Sequence, residues 1–225
     1  MTPRRPAAGA GARMFVAVQP PEDVLADLDR FTAPRREYDE NSLEGRALRW
    51  ALSEQWHVTL AFLPAVADRR RDELSERLAH AAKRRPRFKL RVAGAGAFPD
   101  PSRAKVLWAG LSGYPNTDPA ADPNTEADAG PDALETLHRL ATGARSAAAK
   151  SGVEVAGGRF RPHLTLARLG QPADLTRWLR VFDGYRGPGW TVDEIALVES
   201  HLGQGPGGHP RYDVAETFPL GPPSG

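Results

Sequence analysis

One short segment occurs twice in this chain of 225 residues, and it constrains the fold more than any other feature. His57-Val58-Thr59-Leu60-Ala61 returns as His163-Leu164-Thr165-Leu166-Ala167, 106 positions later. In a chain of this composition two copies of His-x-Thr-Leu arise by chance roughly once in two thousand sequences. Each copy sits in a run rich in β-branched and apolar residues, Trp56 to Leu63 and Phe160 to Arg168, which reads as a strand. Each is also followed by a helical pattern. Two similar halves are therefore expected, each contributing one pentad.

Alternation along a strand sends His57 and Thr59 to one face and Val58, Leu60 and Phe62 to the other, with His163 and Thr165 likewise opposed to Leu164 and Leu166. The apolar faces pack against helices. The polar faces each present an imidazole and a hydroxyl, about 7 Å apart along the strand. Brought together about a pseudo-twofold axis, they enclose a cleft with two imidazoles and two hydroxyls, a lining suited to a small anion. Imidazoles titrate near pH 6.5, so one can donate a proton while the other accepts. Cleavage of a phosphodiester needs that division, and threonine hydroxyls can donate to its non-bridging oxygens.

The remaining pattern gives an α+β order. Arg13 to Gln19 reads as a strand stopped by Pro20-Pro21, and Val24, Leu25, Leu28 and Phe31 follow at helical spacing. A helix over about 68–83, a strand pair over 88–98 and 105–111, and a helix from about Asp132 to Lys150 come next. After the second pentad a helix is expected over about 173–182, with strands near 190–199 and 209–215. Residues 1–12 read as a disordered basic tail, 13–220 as a single bilobal domain, and 221–225 as a second tail. Within that domain 112–132 is a disordered acidic insertion carrying Asp118, Asp122, Glu126, Asp128 and Asp132. Net charge is +2, but the chain outside the insertion holds 30 basic against 23 acidic residues.

Composition narrows the chemistry. There is no cysteine, so disulfides, thiolate nucleophiles and cysteine-ligated metals are out. Neither pentad carries a second histidine or a carboxylate at ligand spacing, and no metal or other cofactor is expected. No apolar run is long enough to cross a membrane, the N-terminus lacks a signal-peptide core, and a cytoplasmic monomer is the expectation.

With these motifs the chain resembles the 2H phosphoesterase superfamily and, within it, the RNA 2′,3′-cyclic phosphodiesterase family, also called the 2′-5′ RNA ligase family. The resemblance runs from Arg13-Met-Phe-Val-Ala-Val18 through Arg49-Trp50, both pentads, Phe98-Pro99 and Val106-Leu-Trp-Ala-Gly110 to Leu197-Val-Glu-Ser200 and Tyr212. It implies a bilobal fold of two pseudo-symmetric antiparallel sheets with outer helices and a central cleft. It also implies that His57 is the proton donor and His163 the proton acceptor, with Thr59 and Thr165 on the phosphate. The expected substrate is RNA ending in a 2′,3′-cyclic phosphate, opened to a 2′-phosphate. The same chemistry on a small nucleotide or ADP-ribose cyclic phosphate, reversible 2′-5′ ligation, and a non-catalytic RNA-end binding module are the alternatives.

Other residues read less sharply. Arg168 falls on the far face of an ideal strand unless the strand end bends back, and Arg161 lies on the motif face; both are candidate phosphate ligands. Phe15, Trp50, Trp56 and Trp108 read first as core, with stacking on a terminal base as the functional option. The basic run from Lys83 to Arg91 reads first as a solvated surface, with steering of an RNA backbone as the functional option. The glycine-rich 203–208 segment reads as a hairpin loop flanked by His201 and His209, and His80 and His138 as surface residues on helices.

Overall fold

The computed structural model describes residues 11–41, 48–114 and 133–222. Of the segments 1–12, 112–132 and 221–225 expected to be tails or a disordered insertion, residues 1–10, 115–132 and 223–225 lie outside the described residues; Ala12, Ser112 and Gly113 are in strands and Gly221 is bridged to Pro86. The folded body starts at Ala12, paired with Val66, and reaches Gly221, whose amide donates to the Arg85 carbonyl at 2.7 Å.

Nine strands and four α-helices follow one another as β1 (Ala12–Val18), α1 (Glu22–Asn41), β2 (Arg49–Trp50), β3 (Val58–Val66), α2 (Arg71–Lys83), β4 (Phe88–Phe98), β5 (Ala104–Gly113), α3 (Ala133–Lys150), β6 (Leu164–Ala173), α4 (Thr176–Phe182), β7 (Arg186–Val192), β8 (Glu194–His201) and β9 (Arg211–Pro219). The strands run in the order β7-β4-β5-β6-β3-β1-β8-β9, with β2 added on β6. Every strand pairing is antiparallel. The expected two sheets are present as two four-stranded halves, β7-β4-β5-β6 and β3-β1-β8-β9. They are joined into one curled sheet by a single register pair, Val58 with Leu164. The pentad strands β3 and β6 are thus the innermost strand of each half.

The helices form where the apolar spacing predicts and close over the convex side. In α2, Leu74, Leu78 and Ala82 are buried at four-residue spacing, and in α3 Leu137, Leu140, Ala141, Ala144 and Ala148 form the buried stripe. Gly152, at φ 68°, ends α3 in a left-handed conformation that costs glycine little. The helices α2 and α3 pack on each other, α3 also lies on β3, and α1 crosses to the far half to pack on β7. There Phe31 meets Tyr185 and Phe182 at 4.3 and 5.1 Å, and the Tyr185 hydroxyl donates to Asp27 at 2.8 Å.

The largest differences from expectation follow the second pentad. The second pentad strand starts at Leu164 rather than Phe160, because Pro162 has no amide to give a ladder and 160–163 approach irregularly. It then runs on to Ala173, so α4 begins at Thr176, whose amide is capped by Asp174 at 2.7 Å. The single strand expected near 190–199 is two strands split at Asp193. The first, β7, pairs with β4 in one half and the second, β8, with β1 in the other; the break is the crossing between halves.

Val58 and Leu164 are fully buried at the junction. Leu164→Ala is expected to lower unfolding stability by about 2–5 kcal/mol in urea titration. A loss below about 1 kcal/mol would show that this contact does not hold the halves together.

Candidate active site

Because Val58 and Leu164 both point into the core, their neighbours on either side point the other way, into the concave face. Extending the antiparallel register by one residue each way sets His57 across from Thr165 and Thr59 across from His163. One inter-strand contact thereby gathers all four polar residues of the pentads.

A second device shapes the cleft walls. Along β3, Ala17 pairs with Thr59 and Val16 with Ala61, leaving Leu60 without a partner. Along β6, Trp108 pairs with Thr165 and Leu107 with Ala167, leaving Leu166 unpartnered. Each pentad therefore carries a β-bulge at its fourth residue. Directly opposed residues share a face, so an extra residue reverses the alternation beyond it. Phe62 consequently joins the cleft face through its pair Phe15, which corrects the expectation that it faces the core. Arg168, paired with Val106, joins the face of Thr165 and His163 for the same reason.

The imidazoles are held alike. His57 Nδ1 lies 2.7 Å from the Gln55 carbonyl and His163 Nδ1 2.6 Å from the Arg161 carbonyl. A carbonyl only accepts, so each Nδ1 carries its proton and donates, which leaves Nε2 for exchange. Phe15 stacks on His57 with centroids 4.4 Å apart, and Tyr212 meets its edge at 5.5 Å. Around His163 stand Phe98 at 5.1 Å and Trp108 at 5.9 Å. Gly96 permits that bed: a Cβ there would fall 2.0 Å from the Trp108 ring.

Burial in these aromatic beds disfavours the imidazolium. It pushes His57 down to about 4, against the opposing pull of the Gln55 carbonyl, with the charges of His163 and Arg168 pushing the same way as burial. His163 is lowered chiefly by burial and further by Arg168, while the Arg161 carbonyl opposes.

The cleft holds about 270 Å³ and is lined by both pentads, Phe62, Arg168, Arg13, Arg49, Trp50, Ser200, His209 and Tyr212 among others. Apart from its histidines, its ionic side chains are three arginines, and among the described residues no carboxylate lines it. Arg161 does not line it; its guanidinium sits 5.7 Å from the Phe98 ring, and its contribution is the carbonyl behind His163. Of the aromatics, Trp56 is core, Phe15 lies buried beneath His57, Trp108 flanks His163, and Trp50 lines the cleft. None of the Lys83–Arg91 cations lines it, and His80 and His138 are exposed.

His209 in the cleft lay beyond the sequence reading. The β8–β9 hairpin folds the glycine-rich loop back, and Gln55 Nε2 ties it down by donating to the Pro210 carbonyl at 2.6 Å. His201 instead stands 3.1 Å from Asp213. Among the described residues no group of three or more His, Asp or Glu side chains gathers at metal-binding separation, and no helix is long and apolar enough to cross a membrane.

The two pentad imidazoles, His209, four hydroxyls and three guanidinium groups share one concave surface, a lining whose chemistry suits an anion. The LigT like Phosphoesterase family model matches residues 19–108 and 129–207, and the chain belongs to that family. It is 30% identical over 213 residues to the Thermus thermophilus RNA 2′,3′-cyclic phosphodiesterase, covering 92% of this chain and 90% of the relative. An Aeropyrum pernix protein of the same name is 30% identical over 76% of this chain and 87% of its own length. The crystal structure of a Thermus thermophilus protein matches with a TM-score of 0.65 at 26% identity, covering 93% of this chain and 98% of that one. Escherichia coli LigT complexed with 3′-AMP shares the fold, with a TM-score of 0.63 at 24% identity over 93% of this chain and 98% of that one.

In NMR titration of the free protein His57 is expected to protonate only near pH 4 and His163 below the ordinary 6.5. Arg168→Ala should move both midpoints upward, because a nearby cation is removed. Midpoints near 6.5 that ignore this substitution would contradict the electrostatics.

Proposed function

We propose that this cleft hydrolyses the 2′,3′-cyclic phosphate at an RNA end to a 2′-phosphate, by metal-independent acid-base catalysis between His57 and His163. The observation that carries the reading is the pair of imidazoles, each fixed through Nδ1 to a backbone carbonyl, facing one cleft that no carboxylate among the described residues lines. The names of the Thermus and Aeropyrum relatives support the substrate class.

In the proposed step His163 Nε2 takes a proton from the attacking water, whose oxygen bonds to phosphorus. The bond from phosphorus to the ribose 3′-oxygen breaks, and His57 Nε2 supplies the proton that oxygen needs. Water is consumed and a 3′-hydroxyl and a 2′-phosphate monoester remain. The near-symmetry of the site favours neither direction, so the division follows the family resemblance. Thr59, Thr165 and Arg168 hold the non-bridging oxygens, where donors aimed at developing charge act most strongly away from bulk water. The depressed His57 pKa means that in the free site His57 is neutral and its Nε2 carries no proton. A bound phosphate anion reverses the balance, since an adjacent negative charge favours the imidazolium. The enzyme is proposed to act as a monomer in the cytoplasm.

Turnover of an oligoribonucleotide with a 2′,3′-cyclic phosphate end, followed by 31P NMR in EDTA, tests the reading. A 2′-phosphate end should accumulate. Binding without turnover would make the protein an RNA-end binding module, and activity restored only by a divalent ion would end the metal-independent mechanism.

His57→Ala and His163→Ala are each expected to lower kcat by at least about a hundredfold, and Thr59→Ala or Thr165→Ala by less. The pH profile of kcat/KM reports the free enzyme. With both imidazoles depressed and one required protonated, it should be a bell with its maximum below about pH 6.5. A maximum above about pH 7 would contradict the assignment.

A further inference from the structure

The three arginines of the cleft do not stand in equivalent places. Arg168 follows His163 by five residues and is turned inward by the bulge at Leu166, and its charge is felt at both imidazoles. The proposed reaction assigns it to the reacting phosphate. The pseudo-equivalent position after His57 is Phe62, turned inward by the matching bulge at Leu60 but uncharged. Arg13 makes up the difference, with its guanidinium stacked 4.2 Å from the Phe62 ring centre and its charge felt at the Tyr212 hydroxyl. A planar cation over an aromatic face is held in direction while its N–H edges remain free to donate.

Arg49 presents the other anomaly. It pairs directly with Arg168 across β2 and β6, and both side chains line the cleft. Like charges directly opposed in a sheet are unfavourable, and no carboxylate among the described residues lines this cleft to relieve them. Negative charge brought to both guanidinium groups removes the conflict. A terminal cyclic phosphate carries one negative charge, fewer than three converging guanidiniums can hold.

Resting on the proposed activity, we infer that Arg13 and Arg49 are specificity-determining residues that bind the internucleotide phosphates next to the cyclic end, so that the site takes an oligonucleotide end in preference to a cyclic mononucleotide. A 2′,3′-cyclic mononucleotide with a free 5′-hydroxyl offers these arginines nothing. A dinucleotide or longer chain offers one phosphodiester or more.

The test compares kcat/KM for adenosine 2′,3′-cyclic phosphate with that for di- and trinucleotides ending in the same group, in wild type, Arg13→Gln, Arg13→Lys and Arg49→Gln. Wild type should prefer the longer substrates. Each Gln variant should lower the ratio of oligonucleotide to mononucleotide kcat/KM by about tenfold, chiefly through KM. It should also reduce the slope of log KM against log salt by about 0.7, the value for one lost phosphate contact on a single strand. Arg13→Lys should recover part of the ratio. Equal losses on all substrates, or an unchanged ratio and salt slope, would overturn the subsite. If wild type turns over none of these substrates the proposed activity itself has failed, an outcome distinct from an active enzyme that ignores chain length.

Discussion

The contact between Val58 and Leu164 organises everything that follows. Two strands from distant parts of the chain meet at one fully buried residue each, and the flanking residues have nowhere to point but the concave face. That puts an imidazole and a hydroxyl from each half around the same few ångströms of space. The bulges at Leu60 and Leu166 complete the wall by reversing the alternation. Without them Phe62 and Arg168 would point into the core.

Electrostatics then gives the cleft its character. Aromatic beds strip water from both imidazoles, while Arg168, one of three arginines in a cleft that no carboxylate among the described residues lines, presses its positive charge on both. Each factor disfavours a protonated histidine in the empty site, and a bound phosphate opposes both. The anion therefore helps to assemble the protonation state that the proposed reaction uses. The carbonyls of Gln55 and Arg161 add direction, since they fix which ring nitrogen faces the substrate.

Much of this was legible in the chain. The repeated pentad predicted two related halves and a shared cleft, and the apolar spacing of Leu74, Leu78, Leu137 and Leu140 predicted the helices that cover them. What the pattern hid follows from its assumptions. Strict alternation holds only in an unbroken ladder, so one unpaired leucine in each half misdirected Phe62 and left Arg168 on the wrong face. The strand break at Asp193 is a crossing between halves, with no glycine or proline to mark it. His209 reaches the cleft through a hairpin and the long-range bond from Gln55 to Pro210, a contact across 155 positions that no local pattern encodes.

In the proposed mechanism both pentads serve a single anion. This is tested most directly by following the His57 and His163 ring resonances while titrating the protein with adenosine 2′-phosphate. The account predicts that both rings shift along one binding curve with a common Kd and that both protonation midpoints rise in the complex. A response confined to one ring, or two curves with separate Kd values, would contradict it.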